Sequence, residues 1–342
     1  MKVAVIGTGR IAAEHLAFLS SQPRITLDSV CDLSPTVASF TADKYGAVTA
    51  ATSIEAALDR HPDVVHICTP ARSHEAIIRL ALEANAHVIC EKPVALSVAT
   101  YDELAALAQS RGLVLTEDHN YRFNSPFTQL QSTVQSGQLG NVRDVAVTMV
   151  LPLKGGRYLD DRLPSPSHSL PAGLLHEFIS HLCYLGLALV PPHRAVSSRW
   201  QQLNESPSPN DLSAWIDCGE ATLRLRFVDG WPGRIAVTVL GTEGQSECEL
   251  LRPHVQSDVM RRSGSLFSPP ESLLRGGLGS ARSAVGTVRD KFLNRTAYSG
   301  LATFLGETYA AIQDKTPVPV TDADIRGTLR LINDLVVGKA NK

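Results

Sequence analysis

The chain has 342 residues, more than one ordinary hydrophobic core accommodates, so two domains are expected. Apolar residues make up 44% and charged residues 19%, which excludes an intrinsically disordered chain. The formal net charge is only −2, so the basic excess of a nucleic-acid binder is absent.

Over the first 120 residues, short apolar runs alternate with helical patterns. Strand-like runs fall at Val3–Ile6, Thr26–Cys31, Val64–Cys68, His87–Cys90 and Leu113–Thr116. Helical patterns lie between them at Ile11–Ser20, Thr36–Tyr45, Ser53–Leu58, Glu75–Ala84 and Val98–Ser110, the last capped by Ser97. This rhythm predicts a doubly wound, Rossmann-type parallel sheet, an N-terminal α/β domain over residues 1–120.

A helix is predicted at Ser125–Gln135, then strands at Val142–Leu151, Ala195–Gln202, Ala214–Cys218, Ala221–Val228, Ile235–Leu240 and Ser246–Leu251. One helix, Ala172–Leu189, interrupts them. Strands in succession predict an open, mainly antiparallel sheet in a second α/β domain over 121–342. Two final helices, Leu301–Ile312 and Ala323–Val337, are expected to return toward the first domain. Lys154–Pro171 and Arg252–Arg295 read as irregular, the latter as a basic segment whose default is solvation.

No leader signature is read at the start. The longest apolar run, Leu182–Val190, is shorter than the ~20 residues a bilayer requires, so a cytoplasmic chain with no membrane partner is expected. The six cysteines form no C-x-x-C pair, and reduced, partly buried thiols are expected.

Gly7-Thr8-Gly9-Arg10-Ile11-Ala12 closes the first strand and opens the first helix. This is the G-x-G-x-x-A form of the dinucleotide fingerprint, with a tight turn, a close backbone approach to pyrophosphate, and a small residue for helix–strand packing. An ordinary glycine turn is the plain alternative. Asp32 ends the second strand, where a carboxylate accepts from the ribose hydroxyls and repels a 2′-phosphate, so NAD is expected over NADP. Thr69-Pro70 with His74, and Glu91-Lys92-Pro93, follow the next strands, at the sheet edge where ligands bind.

Together with His15 and Asn120-Tyr121-Arg122-Phe123, these segments resemble the glucose–fructose oxidoreductase / inositol dehydrogenase (Gfo/Idh/MocA) family. The resemblance implies reversible oxidation of a secondary alcohol on a sugar, sugar derivative or cyclic polyol with NAD or NADP. It also raises the expectation of a cis Lys92–Pro93 bond. The family's second signature is an aspartate four residues before a histidine on a helix. Here Gly173-Leu174-Leu175-His176-Glu177-Phe178-Ile179-Ser180-His181 takes that place, with Glu177 for the aspartate and Ile179 for a usual glycine.

Residues four apart share a helix face, so Glu177 and His181 are expected to point into one cleft with Lys92. Lys92 would stabilise alkoxide charge, His181 would exchange the proton, and Glu177 would tune it. A helix-surface ion pair between Glu177 and His181 is the alternative. His176 and His181 are five apart, turned about 140° on an ideal helix, which argues against a zinc site, and no metal is expected. Arg122, His119, Arg157, Tyr158 and His176 are candidate substrate contacts. A homo-oligomer through the second sheet is expected. Two rival functions are a redox-neutral glycoside-cleaving enzyme with tightly held NAD, and an NAD-binding regulatory protein without catalysis.

Overall fold

The computed structural model describes residues 1–153, 170–204, 206, 208–259 and 299–340. The chain divides into two compact units, the first of Met1–His119 with Leu301–Arg330 and the second of Asn120–Gly300 with Leu331–Lys342.

The first unit alternates strand and helix. It runs β1 (Lys2–Ile6), α1 (Arg10–Ser20), β2 (Thr26–Cys31), α2 (Pro35–Tyr45), β3 (Thr49–Ala51), α3 (Ile54–Leu58), β4 (Val64–Ile67), α4 (His74–Glu83), β5 (His87–Cys90), α5 (Val98–Ser110) and β6 (Leu115–Glu117). All pairings are parallel, in the order β3-β2-β1-β4-β5-β6. The direction of winding reverses between β1 and β4, which marks their carboxyl ends as the ligand crevice of such sheets. The strands are mostly apolar because both faces are covered; Val3, Val5, Val64, Val65, Val88 and Ile89 are fully buried, with His66 on β4 a buried polar exception. Ser97 caps α5 as expected, accepting from the Thr100 N–H.

The second unit contains α6 (Ser125–Gln135), β7 (Val142–Leu151), α7 (His176–Leu187), β8 (Ala195–Gln201), β9 (Asp211–Cys218), β10 (Ala221–Asp229), β11 (Arg234–Gly241), β12 (Gly244–Glu249) and β13 (His254–Val259). The sheet order is β13-β12-β11-β7-β10-β9-β8; β7 and β10 are parallel and every other pair is antiparallel. The period of two is clear on β10. Leu223, Leu225 and Phe227 enter the core, while Arg224 and Arg226 face outward and pair with Asp144 and Asp211 on the neighbouring strands. Helix α7 covers the apolar face through Ile179, Leu182 and Leu185. It comes close at Gly186, where a Cβ would sit 2.5 Å from Leu223 Cδ1. Helices α8 (Ser299–Asp314) and α9 (Asp322–Ala340) complete the chain, with Leu301–Arg330 belonging to the first unit.

Several expected boundaries change for local reasons. β3 escapes the apolar pattern because it is three residues at a sheet edge. β13 lies inside the stretch read as irregular, since its edge position leaves its residues mostly exposed and without alternation. The helix expected from Ala172 begins at His176, after a 3-10 turn over Gly173–Leu175 in which Gly173 has φ +60°. Among the described residues, no helix is long and apolar enough to cross a membrane.

Phe227 is fully buried and stacks on Phe178 at 5.6 Å. Phe227→Ala should therefore cost about 3–5 kcal/mol in denaturant unfolding. A loss below about 1 kcal/mol would mean that this core does not hold the sheet as described.

Candidate active site

In the first unit, the turn after β1 is set by steric contact. Gly7 has φ +90°, and a Cβ there would lie 2.8 Å from the backbone carbon and oxygen of Cys68, at the end of β4. Glycine is required at this position by the protein itself. Gly9 differs, because a Cβ on it would meet nothing within 4 Å. The space beside Gly9 suits a close-approaching ligand backbone. Gly9 is also the N-cap of α1 and offers no side-chain cap to the first turn, whose N–H groups and dipole favour an anion.

Asp32 follows β2. Its carboxylate accepts a hydrogen bond from the Thr8 hydroxyl and one from the Ser34 N–H at 2.9 Å. Burial pushes the Asp32 carboxyl up, but these bonds from Thr8 and Ser34 outweigh it and hold it below the usual aspartate range. The fingerprint loop and the carboxylate at the second strand are thus one hydrogen-bonded assembly. The residues present fit a dinucleotide: an open glycine approach, an uncapped helix start and an ionised acceptor.

The next two strand ends are stapled together. The His74 ring places one nitrogen 2.8 Å from the Thr69 carbonyl and the other 2.8 Å from the Pro93 carbonyl. The side chain is buried, so it supports the Thr69 and Pro93 loops from within. The Lys92–Pro93 bond is cis. The Val94 N–H donates to Glu117 at 2.6 Å, and the other Glu117 oxygen lies 2.8 Å from the His119 ring. His119, expected as a substrate contact, is fully buried in that pairing.

Beside Lys92 lies a buried acid pair. Burial raises the Asp118 carboxyl well above the aspartate range, reinforced by the charge and hydrogen bond of Glu91. Burial acts on Glu91 in the same direction, but the hydrogen bond from His15, the Lys92 charge and the Asp118 hydrogen bond hold it below the glutamate range. The two carboxyls are thus driven apart, Asp118 toward its protonated form and Glu91 toward its ionised form. His15, Glu91 and Asp118 bring one ligand atom each within 4.8 Å of one another. The hydrogen bonds among them and the adjacent Lys92 charge account for the cluster without an ion.

In the second unit, His181 lies on α7, 7% exposed, with its Nδ1 at 2.7 Å from the Tyr184 hydroxyl. That hydroxyl donates to Asn120 Oδ1 at 3.2 Å and accepts from the Tyr121 N–H at 3.3 Å. Its one proton is directed to Asn120, so His181 Nδ1 is the donor to it. The ring is then the Nδ1–H tautomer, and Nε2 is its basic nitrogen. The Tyr121 ring packs on the imidazole at 4.6 Å. Asn120 was visible in sequence only as part of the Asn120–Phe123 segment, and Tyr184 not at all; the signal available was Tyr184 one helical turn beyond His181. Glu177 is half-buried in the first turn of α7, and His176 is buried beside it. Arg122 lies in a 3-10 turn, Asn120–Phe123. Arg157 and Tyr158 fall outside the described residues.

Residues 1–119 match the GFO_IDH_MocA family, described as an oxidoreductase family with an NAD-binding Rossmann fold. D-glucoside 3-dehydrogenase of Escherichia coli is 35% identical over 144 residues, 42% of this chain and 41% of that protein. Inositol 2-dehydrogenase of Rhizobium meliloti is 30% identical over 149 residues, 43% of this chain and 44% of that protein. These matches thus span less than half of the curated relatives' lengths. A levoglucosan dehydrogenase solved with NADH shares the fold over 100% of this chain and 97% of its own, with a TM-score of 0.83 at 17% identity.

The two glycines should separate in experiment. Gly7→Ala should destabilise the fold, whereas Gly9→Ala should leave unfolding stability unchanged or raised by up to about 1 kcal/mol while weakening dinucleotide binding in calorimetry. Equal binding by Gly9→Ala would remove the open approach from the site. Thr8→Val should raise the Asp32 pKa, read by carboxyl carbon NMR. A depressed carboxylate stabilises the fold above its unfolded pKa and loses that contribution as pH falls through the folded one. The variant should therefore lose part of the acid-dependent stability seen in the unsubstituted protein.

Proposed function

We propose that this chain, whose residues 1–119 match the Gfo/Idh/MocA family of oxidoreductases, oxidises a secondary alcohol of a sugar, sugar derivative or cyclic polyol, reversibly, with NAD. The observation that carries this reading is, within the first unit, the dinucleotide-fitting loop with Lys92 following β5 at the same sheet edge; His181 on α7 of the second unit is described by itself. The substrate class draws support from the relatives named above.

Residues Gly7 to Ile11 would hold the pyrophosphate, Asp32 the adenosine ribose, and the Thr69-Pro70 and Glu91-Lys92-Pro93 turns the nicotinamide half. Asp32 favours NAD over NADP, because an ionised carboxylate repels a 2′-phosphate. NAD, when bound, supplies the hydride acceptor. The chain's own residues manage charge and proton. The Lys92 ammonium stabilises negative charge developing on the substrate oxygen. His181 Nε2 takes the hydroxyl proton in oxidation and returns it in reduction. Tyr184 holds the ring in the tautomer that this requires. Glu177 shares a helix face with His181 and tunes it. Arg122 and His176 serve as polar contacts for the substrate. The outer face of the second sheet, with Trp215 exposed, is the proposed surface for a homo-oligomer.

A screen of sugars and polyols that follows formation of reduced nicotinamide, with both cofactors, tests the reading. Lys92→Ala should keep NAD affinity and lose turnover by a factor on the order of a hundred or more. Near-normal turnover would remove Lys92 from the chemistry. His181→Asn should abolish the pH dependence near neutrality. Glu177→Gln should move that dependence to lower pH without erasing it, because a nearby carboxylate favours protonated histidine. An unaltered pH profile in His181→Asn would assign the proton to another group.

A further inference from the structure

Behind the acid pair, a line of buried polar groups runs away from Lys92. His15 on α1 places Nε2 3.1 Å from Glu91 and Nδ1 2.7 Å from His66 Nδ1. His66, on β4, places Nε2 2.8 Å from the Tyr309 hydroxyl on α8. His15 and His66 are fully buried and Tyr309 is 6% exposed. All these groups belong to the first unit.

Burial holds His66 well below the usual histidine range, so it is neutral and carries one ring proton. Burial raises the Tyr309 phenol, so its proton stays on. Two facing Nδ1 atoms need one proton between them. If Tyr309 donates to His66 Nε2, then His66 Nδ1–H donates to His15 Nδ1, and His15 Nε2–H donates to Glu91. Every bond is then made with both imidazoles neutral. The reverse order leaves the Tyr309 proton directed elsewhere. It also needs one more proton on the His15–Glu91 contact, held by the imidazole or by the carboxyl.

We propose that Tyr309, His66 and His15 form a hydrogen-bond chain donating in one direction, toward Glu91, and that it positions charge for Lys92. The chain supplies the donor that keeps Glu91 ionised, so the proton of the acid pair stays on Asp118. The pair then presents one negative charge to Lys92 and keeps it an ammonium ion. Other groups around this edge are already engaged or neutral. Glu117 is held by His119 and Val94 N–H, His74 by the Thr69 and Pro93 carbonyls, and burial keeps the Cys68 and Cys90 thiols protonated. His15, His66 and Tyr309 are thus positioning residues acting through Glu91. The inference rests on the reading of Lys92 as the group that stabilises the substrate oxygen.

The test reads Lys92 directly and needs no turnover. Full-length protein labelled with 13C at the lysine ε-carbon is titrated by NMR, with Lys92 assigned from Lys92→Arg. His15→Leu removes the donor, lets Glu91 take a proton, and should move the Lys92 titration to lower pH. His15→Gln, whose amide can donate, should restore it in part, and Tyr309→Phe should shift it the same way by less. In the unsubstituted protein, 15N spectra should show His66 as the neutral Nδ1–H tautomer, which keeps the inference testable even if His15→Leu fails to fold. A Lys92 titration unchanged across the variants, or a His66 protonated at Nε2, overturns the inference and leaves the role of Lys92 standing. A shifted titration combined with full turnover in Lys92→Ala supports the chain and overturns that role.

Discussion

Glu91, Glu117 and Asp118 lie almost wholly buried at the carboxyl edge of the parallel sheet, and the chemistry available at Lys92 depends on how their charge is settled. Three bare carboxylates in such surroundings would be prohibitive. The protein settles each differently. Glu117 accepts from a backbone N–H and faces a histidine, Asp118 is driven toward its protonated form, and Glu91 toward its ionised form beside His15 and Lys92. Each solution also does mechanical work on the fold. Glu117 fixes the turn after Pro93, and Glu91 reaches back to the helix that starts at the fingerprint loop. Charge settlement and loop placement are therefore the same set of bonds.

The second unit reaches a similar end by other means. A mixed sheet with a continuous apolar face supports α7, and the close contact at Gly186 sets the helix near its strands. On that platform Tyr184 selects one imidazole tautomer through Asn120 and Tyr121. A histidine with its basic nitrogen chosen in advance is suited to move a proton at neutral pH. A lysine in a region of defined charge is suited to stabilise an oxyanion.

The parts legible in the sequence were those set by local pattern. β2, β5, α5, α6 and β7 follow from apolar period and capping residues, and their expected bounds agree with those observed. Gly7 and Asp32 were recognisable because they stand at the spacing of the dinucleotide fingerprint. The edge strands β3 and β13 were not, since edge pairing leaves no buried face to alternate. The partners of His181 and the line from Tyr309 to Glu91 were also hidden. His66 and Tyr309 are 243 residues apart in sequence, and no periodicity signals a bond that only tertiary folding creates. His15 was visible as part of a motif, yet its work as a donor to Glu91 was not.

The central claim is that hydride leaves a carbinol carbon of a sugar or polyol for nicotinamide. The most direct measurement incubates the protein with NAD and pools of carbon-deuterated sugars and polyols, followed by mass spectrometry of the recovered cofactor. The account predicts deuterium in the nicotinamide ring with at least one pool, accumulating with time. A protein that binds NAD yet passes no deuterium to it from any pool would contradict the account.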